Sequence, residues 1–268
     1  MKHRQIINLL YVAVPVCVLL RIMQLKFTID ATTGFIKQPY RDISMLISFV
    51  VFAAIIAMCV LAYFSESVSV KTSSTQPIVA FSCVLTGGLF VCDSVSSVVE
   101  INDIYSIFLI LLGLISAVAF ILFGIEKIYP LVFPKALLIA PTVYYIVKLI
   151  KLFVSTSELS LVTENIFLLF THSALLCFVF EFASYENNFG DSARRQKKLF
   201  ACGITSTMLC IVTALPKLLL PSTLNEQTHR ADVSSCLLLL SQAVFVLLYI
   251  ISNFCSNDKP KAHISKHS

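Results

Sequence analysis

The sequence contains no tryptophan, and only 13% of its residues are charged. Soluble domains carry roughly 25% charged residues. Here 57% of the chain is hydrophobic and the mean hydropathy is +0.88, which points to a bilayer as the solvent. No CxxC pair occurs, so the nine cysteines form no recognisable metal or redox motif. Cys17, Cys59, Cys83, Cys177, Cys210 and Cys236 fall inside apolar runs. In such surroundings a thiol behaves as a small hydrophobe. HExxH, a P-loop and a serine elbow are also missing. No pair of acidic residues sits mid-span, as an intramembrane aspartyl protease would need. The expectation is a protein without catalytic residues, cofactor or metal.

What is present is a series of apolar runs. A span needs about 20 mostly apolar residues. Eight stretches qualify: 5–23, 43–64, 77–95, 104–125, 132–153, 162–182, 199–219 and 233–254. Backbone groups in lipid must be satisfied internally, so these are helices. The predicted fold is all-α, a polytopic transmembrane bundle in one domain over residues 1–256. A basic, disordered tail follows at 257–268. Ser, Thr and Gly87-Gly88 dilute the third span, and Pro134, Pro141 and Lys148 interrupt the fifth. Met1-Lys2-His3-Arg4 ahead of an apolar run looks like a signal peptide, but the run ends at Arg21 with no small-residue cleavage site. It reads as a retained first span. With tryptophan absent, Tyr40, Tyr63, Tyr105, Tyr129 and Tyr185 near the span ends are the candidate interface anchors.

The net charge of +5 and pI of about 8.7 carry no nucleic-acid signal, because the basic residues border apolar spans. With the N-terminus inside, twelve Lys and Arg fall on the cytoplasmic side and eight outside. The strongest vote is Arg194-Arg195-Gln196-Lys197-Lys198 before the seventh span. The positive-inside bias predicts a cell-membrane protein with both termini cytoplasmic. The expected partners are membrane lipids, with a protein partner at the basic loop 194–198 as a further reading.

Ionisable groups at membrane depth are expensive and mark candidate sites. Pro141, Tyr145, Lys148 and Leu152 share one helical face, with Lys151 a turn from Lys148. Arg21 and Asp30 lie at the exit of the first span, and His172 near the middle of the sixth. The functional reading is an outer-facing cationic pocket between spans one, five and six. Lys148 would bind an anion there, with Arg21, Asp30 and Lys151 at the rim and Tyr145 and His172 below. The competing reading has Arg21 and Lys151 snorkelling to the interface and His172 bonded to a neighbouring helix. Asp93, Glu100, Asp103, Glu158 and Glu164 fall on the same side as candidate ion-pair partners. Glu181 reads as a Lys-paired structural carboxylate. The pairs Gly113/Ala117 and Ala53/Ala57 are four apart and read as close helix packing.

The exits of spans one and five echo each other. Each has a proline, then a cation six or seven positions on, then a Leu/Lys/Phe cluster. One reading is a four-plus-four parallel repeat with sites at the repeat interface. The other is chance likeness within a small apolar alphabet.

Three stretches carry a resemblance: Arg21 to Phe35, Pro141 through Phe153 into Glu164-Asn165-Ile166, and Thr213-Ala214-Leu215-Pro216 after a basic loop. They resemble a recurring pattern in uncharacterised polytopic membrane proteins of anaerobic Gram-positive bacteria of the Firmicutes, Clostridia type. The resemblance implies a bacterial plasma membrane and no particular activity. Two functions stand side by side: a small-solute transport or binding module, and a non-catalytic interaction or regulatory subunit.

Overall fold

The computed structural model describes residues 3–28, 37–65, 76–98, 104–129, 133–158, 163–187, 192–220 and 229–254. Asp30, Glu100, Asp103 and the tail 257–268 lie outside the described residues, as do the side chains of Glu158 and Glu164. The described chain is helical throughout. Its long helices are α1 (His3–Met23), α2 (Arg41–Tyr63), α3 (Pro77–Val98), α4 (Ile104–Glu126), α5 (Ala140–Glu158), α6 (Thr163–Glu186), α7 (Ser192–Leu219) and α8 (His229–Phe254). Among the described residues, eight helices are long and apolar enough to cross a membrane. The chain is an all-α, multi-pass membrane protein.

Local chemistry explains the irregular ends. The fifth span opens with a 3₁₀ turn, Lys135–Ile139, and α5 follows from Ala140. Pro141 therefore sits in the first turn, where its missing N–H has no intrahelical partner to lose. Pro134 precedes the 3₁₀ turn, so neither proline breaks a helix interior. α1 ends in a π turn, Gln24–Thr28, where the Thr28 hydroxyl donates to the Gln24 carbonyl at 2.7 Å.

α7 is the hub, packing against α1, α2, α6 and α8. It is among the least apolar of the spans, yet 78% of its most apolar stretch is buried, against 22% for the greasier α2. Lipid accepts α2's side chains, whereas α7's hydroxyls need protein around them. Thr171 on α6 and Thr213 on α7 share a hydrogen bond of 2.8 Å across that contact.

Small residues set the α3–α4 pairing. A Cβ on Gly87 would come within 2.9 Å of the Ala117 carbonyl oxygen, and one on Gly124 within 2.8 Å of that of Ala80. A Cβ on Gly113 would collide with the Ser94 hydroxyl. The Gly113/Ala117 pair therefore packs as expected. Ala53 and Ala57 do not, since both are exposed on α2. Tyr40, Tyr63, Tyr105 and Tyr129 are also exposed near helix ends, as interface anchors would be.

An aromatic column runs through the bundle. Tyr144 packs on Phe90 (ring centroids 5.2 Å), Phe90 on Phe120 (5.5 Å) and Phe120 on Phe245 (5.3 Å). Phe245 meets Phe182 (5.7 Å), which meets Tyr249 (5.0 Å). At the far end the Tyr249 hydroxyl donates to Glu186 at 2.7 Å, and Glu186 pairs with Lys127 at 3.6 Å. Glu181 pairs with Lys198 at 3.7 Å, the structural role expected of it.

The helix neighbours do not follow a twofold. Such an axis would carry the α2–α7 contact onto α6–α3, and α3–α8 onto α7–α4. The first of each pair is extensive, and the second is not among the substantial pairings of the described residues. The echo between spans one and five therefore stays local.

The glycine packing gives a prediction. Gly124→Ala should lower thermal stability, because overpacking costs about 1–3 kcal/mol. A Cβ on Gly88 meets nothing within 4 Å, so Gly88→Ala should be neutral or stabilising, by about 0.5–1 kcal/mol at most. Thermal unfolding of both variants in detergent checks this; equal shifts would contradict the packing account.

Candidate functional site

One end of the bundle gathers the polar groups. It is where α3, α5 and α7 finish and α4, α6 and α8 begin. Asp93 sits five residues before the end of α3 and is buried. A bare carboxylate at membrane depth costs several kcal/mol, so its partners are decisive. The Tyr144 hydroxyl donates to Asp93 Oδ2 at 2.9 Å. Lys148, one helical turn on from Tyr144, donates to the same oxygen at 3.5 Å and to the Tyr144 hydroxyl at 3.0 Å. From α8, Ser235 donates to Oδ1 at 2.6 Å and Ser234 at 3.4 Å. Three helices thus close on one carboxylate.

Beside this knot lies a cavity of about 250 Å³ whose lining includes Asp93, Tyr144, Lys148, Lys151, His172 and Lys217. Every helix from α3 to α8 supplies a lining residue. Three lysines against one aspartate leave a formal excess of two positive charges. Lys151 also donates to Ser106 of α4 at 2.9 Å, so it is anchored inward and does not snorkel. The cavity is small beside the roughly 300–1,000 Å³ of ordinary ligand clefts.

The residues expected from sequence divide. Lys148, Lys151 and His172 line the cavity together. Arg21 does not; the pocket expected between spans one, five and six draws nothing from α1. Arg21 is only 2% exposed, so it does not snorkel either. Its guanidinium donates to Gln24 at 2.6 Å and lies 4.0 Å above the Phe167 ring. Gln24 in turn donates to Ser44 and Ser48 of α2 at 2.9 and 2.8 Å. This second polar knot joins α1, α2 and α6. Tyr145 is 1% exposed and points into the core; its neighbour Tyr144 is the one that holds Lys148. The shared-face argument picked the wrong tyrosine because residues four apart, here 144 and 148, lie one above the other.

His172 bonds within its own helix, contrary to the cross-helix bond expected. Its Nδ1 lies 2.8 Å from the Leu168 carbonyl. Reasoning from sequence placed Asp93 at a loop flank and left Lys217 and Ser235 out of the site. The missed signal was that Asp93 falls inside the span 77–95, where a carboxylate needs a cation. The eight described cysteines are free thiols.

No protein-family model matches the chain, and no curated protein or solved structure matches it either. The site is therefore argued from its own geometry.

The Asp93–Lys148 pair gives a second prediction. Asp93→Ala should destabilise by about 3–5 kcal/mol, because it strands a mostly buried ammonium. The double variant Asp93→Asn/Lys148→Met should lose less than the sum of its single changes, with a coupling of about 0.5–3 kcal/mol. Denaturation of the purified variants measures this; simple additivity would mean that the two groups do not interact.

Proposed function

We propose that the protein is a small-solute binding or transport module of a bacterial plasma membrane, and that its cavity takes a small anion. The observation carrying this reading is the convergence of Lys148, Lys151 and Lys217 on one cavity with a single acidic group. An anion entering there meets two uncompensated positive charges in surroundings that screen poorly. Asp93 keeps Lys148 charged and oriented while the cavity is empty. The arriving anion then competes with Asp93 for Lys148, so binding stays reversible, as a transport site requires.

The Arg194–Lys198 run begins α7, at the end of the bundle opposite the cavity. By the positive-inside bias that end is cytoplasmic and the cavity faces outward. A likeness to polytopic proteins of anaerobic Gram-positive bacteria fits a plasma-membrane setting. Nothing in the site arranges a nucleophile beside a base, so binding or transport is favoured over catalysis.

The test is ligand-dependent stability of the protein in lipid nanodiscs. Acetate, lactate, succinate, malate, inorganic phosphate and sulfate form the panel. At least one should raise the unfolding temperature, as mass action requires of a ligand for the folded state. Lys151→Gln should weaken that ligand about tenfold, the loss of one charged contact at roughly 1.4 kcal/mol. Lys148→Ala should weaken it further. Stabilisation that is the same in wild type and both lysine variants would overturn the proposal. So would a protein that no anion stabilises, which would leave the interaction-subunit reading.

A further inference from the structure

The wall of the cavity contains an acceptor with no partner. His172 is 4% exposed and lines the cavity from α6. Its Nδ1 faces the Leu168 carbonyl at 2.8 Å. A carbonyl oxygen only accepts, so Nδ1 carries the hydrogen. A second proton on the ring would put a fourth cation among Lys148, Lys151 and Lys217. The ring is therefore the neutral Nδ1–H tautomer, and Nε2 is a bare lone pair. Nε2 has no hydrogen-bond partner and is closed off from solvent. With Nδ1 turned back to its own helix, Nε2 lies on the ring edge away from that backbone.

The other polar atoms at this depth do not fill the need. Tyr145 lies against the His172 ring, centroids 5.9 Å apart, but its hydroxyl makes no hydrogen bond. Gln242 of α8 faces Tyr145, and its amide is likewise unpartnered. Asp93, the nearby carboxylate, is occupied by Tyr144, Lys148 and Ser235. Buried polar groups are almost always paired, so an unpaired acceptor in a cavity wall marks where a ligand donor belongs.

Resting on the anion reading above, the geometry points to a small hydroxylated anion as the occupant. Its acidic group sits on the lysines and its neutral hydroxyl donates to His172 Nε2. An ammonium as donor is excluded by the same excess of positive charge that draws the acid. Carboxylates and phosphate monoesters share this chemistry. A site built to bond a hydroxyl discriminates against the analogue that lacks it, and this separates the hydroxyl contact from bare charge attraction.

Binding is measured by titration calorimetry on the nanodisc protein with three matched pairs. These are lactate and propionate, malate and succinate, and glycerol 3-phosphate and propyl phosphate. In at least one pair the hydroxylated member should bind roughly tenfold to a hundredfold more tightly, the worth of satisfying one buried acceptor. The pair that discriminates tells carboxylate from phosphate. His172→Leu should cut the preference to less than about threefold while Lys151-dependent binding survives. His172→Gln, which keeps an acceptor, should retain part of it and serves if the leucine variant fails to fold. Equal affinities within every pair in the wild type, still dependent on Lys151, would overturn this proposal and leave the anion site standing. A preference that persists in both His172 variants would also overturn it. Absence of binding by all six compounds would remove the anion site itself, and this inference with it.

Discussion

A carboxylate inside a membrane span has to be neutralised by protein, because lipid offers nothing. Asp93 sets that demand here, and the architecture of one end of the bundle answers it. α5 brings Tyr144 and Lys148 on consecutive turns, and α8 brings Ser235. Those contacts fix where α3, α5 and α8 finish or begin relative to one another. The cavity is the space left beside that knot, bounded by the further lysines, which cannot crowd closer to each other. Binding chemistry and packing are thus two results of satisfying the same charge.

The rest of the bundle follows the membrane version of inside and outside. Apolar content does not decide burial, since lipid tails are as apolar as leucine. The greasiest helices lie at the edge. α7, with Ser206, Thr207 and Thr213 buried, lies at the centre. Small residues let α3 and α4 approach until backbone carbonyls would touch any added Cβ. The aromatic column from Tyr144 to Tyr249 fills the middle. Each aromatic pair adds about 0.5–1.5 kcal/mol beyond its buried area. It also connects the Asp93 knot to the Glu186–Lys127 pair at the opposite end, so a shift at one end is transmitted through packed rings.

Two knots occupy the cavity's end of the bundle, and only one borders an opening. Arg21 is spent on Gln24 and the Phe167 ring, fastening α1 to α6. Lys148 is held by groups that leave its cavity-facing side accessible. From sequence the two cations look equivalent, each following a proline by six or seven residues. Their neighbours make one structural and the other available.

The eight spans, their boundaries to within a few residues and the all-helical class were legible in the chain. Each follows from local hydropathy and from the need to satisfy backbone hydrogen bonds within a segment. Lys148, Lys151 and His172 were legible as candidates for the same reason, since a charge's cost at depth depends on its position along the span. Which partners they meet was not. Pairing Asp93 with Lys148 across 55 residues, excluding Arg21, replacing Tyr145 by Tyr144 and leaving His172 Nε2 without a partner all depend on how helices rotate and pack. That rotation is decided jointly by all the interfaces of the bundle, so no stretch of sequence read alone contains it.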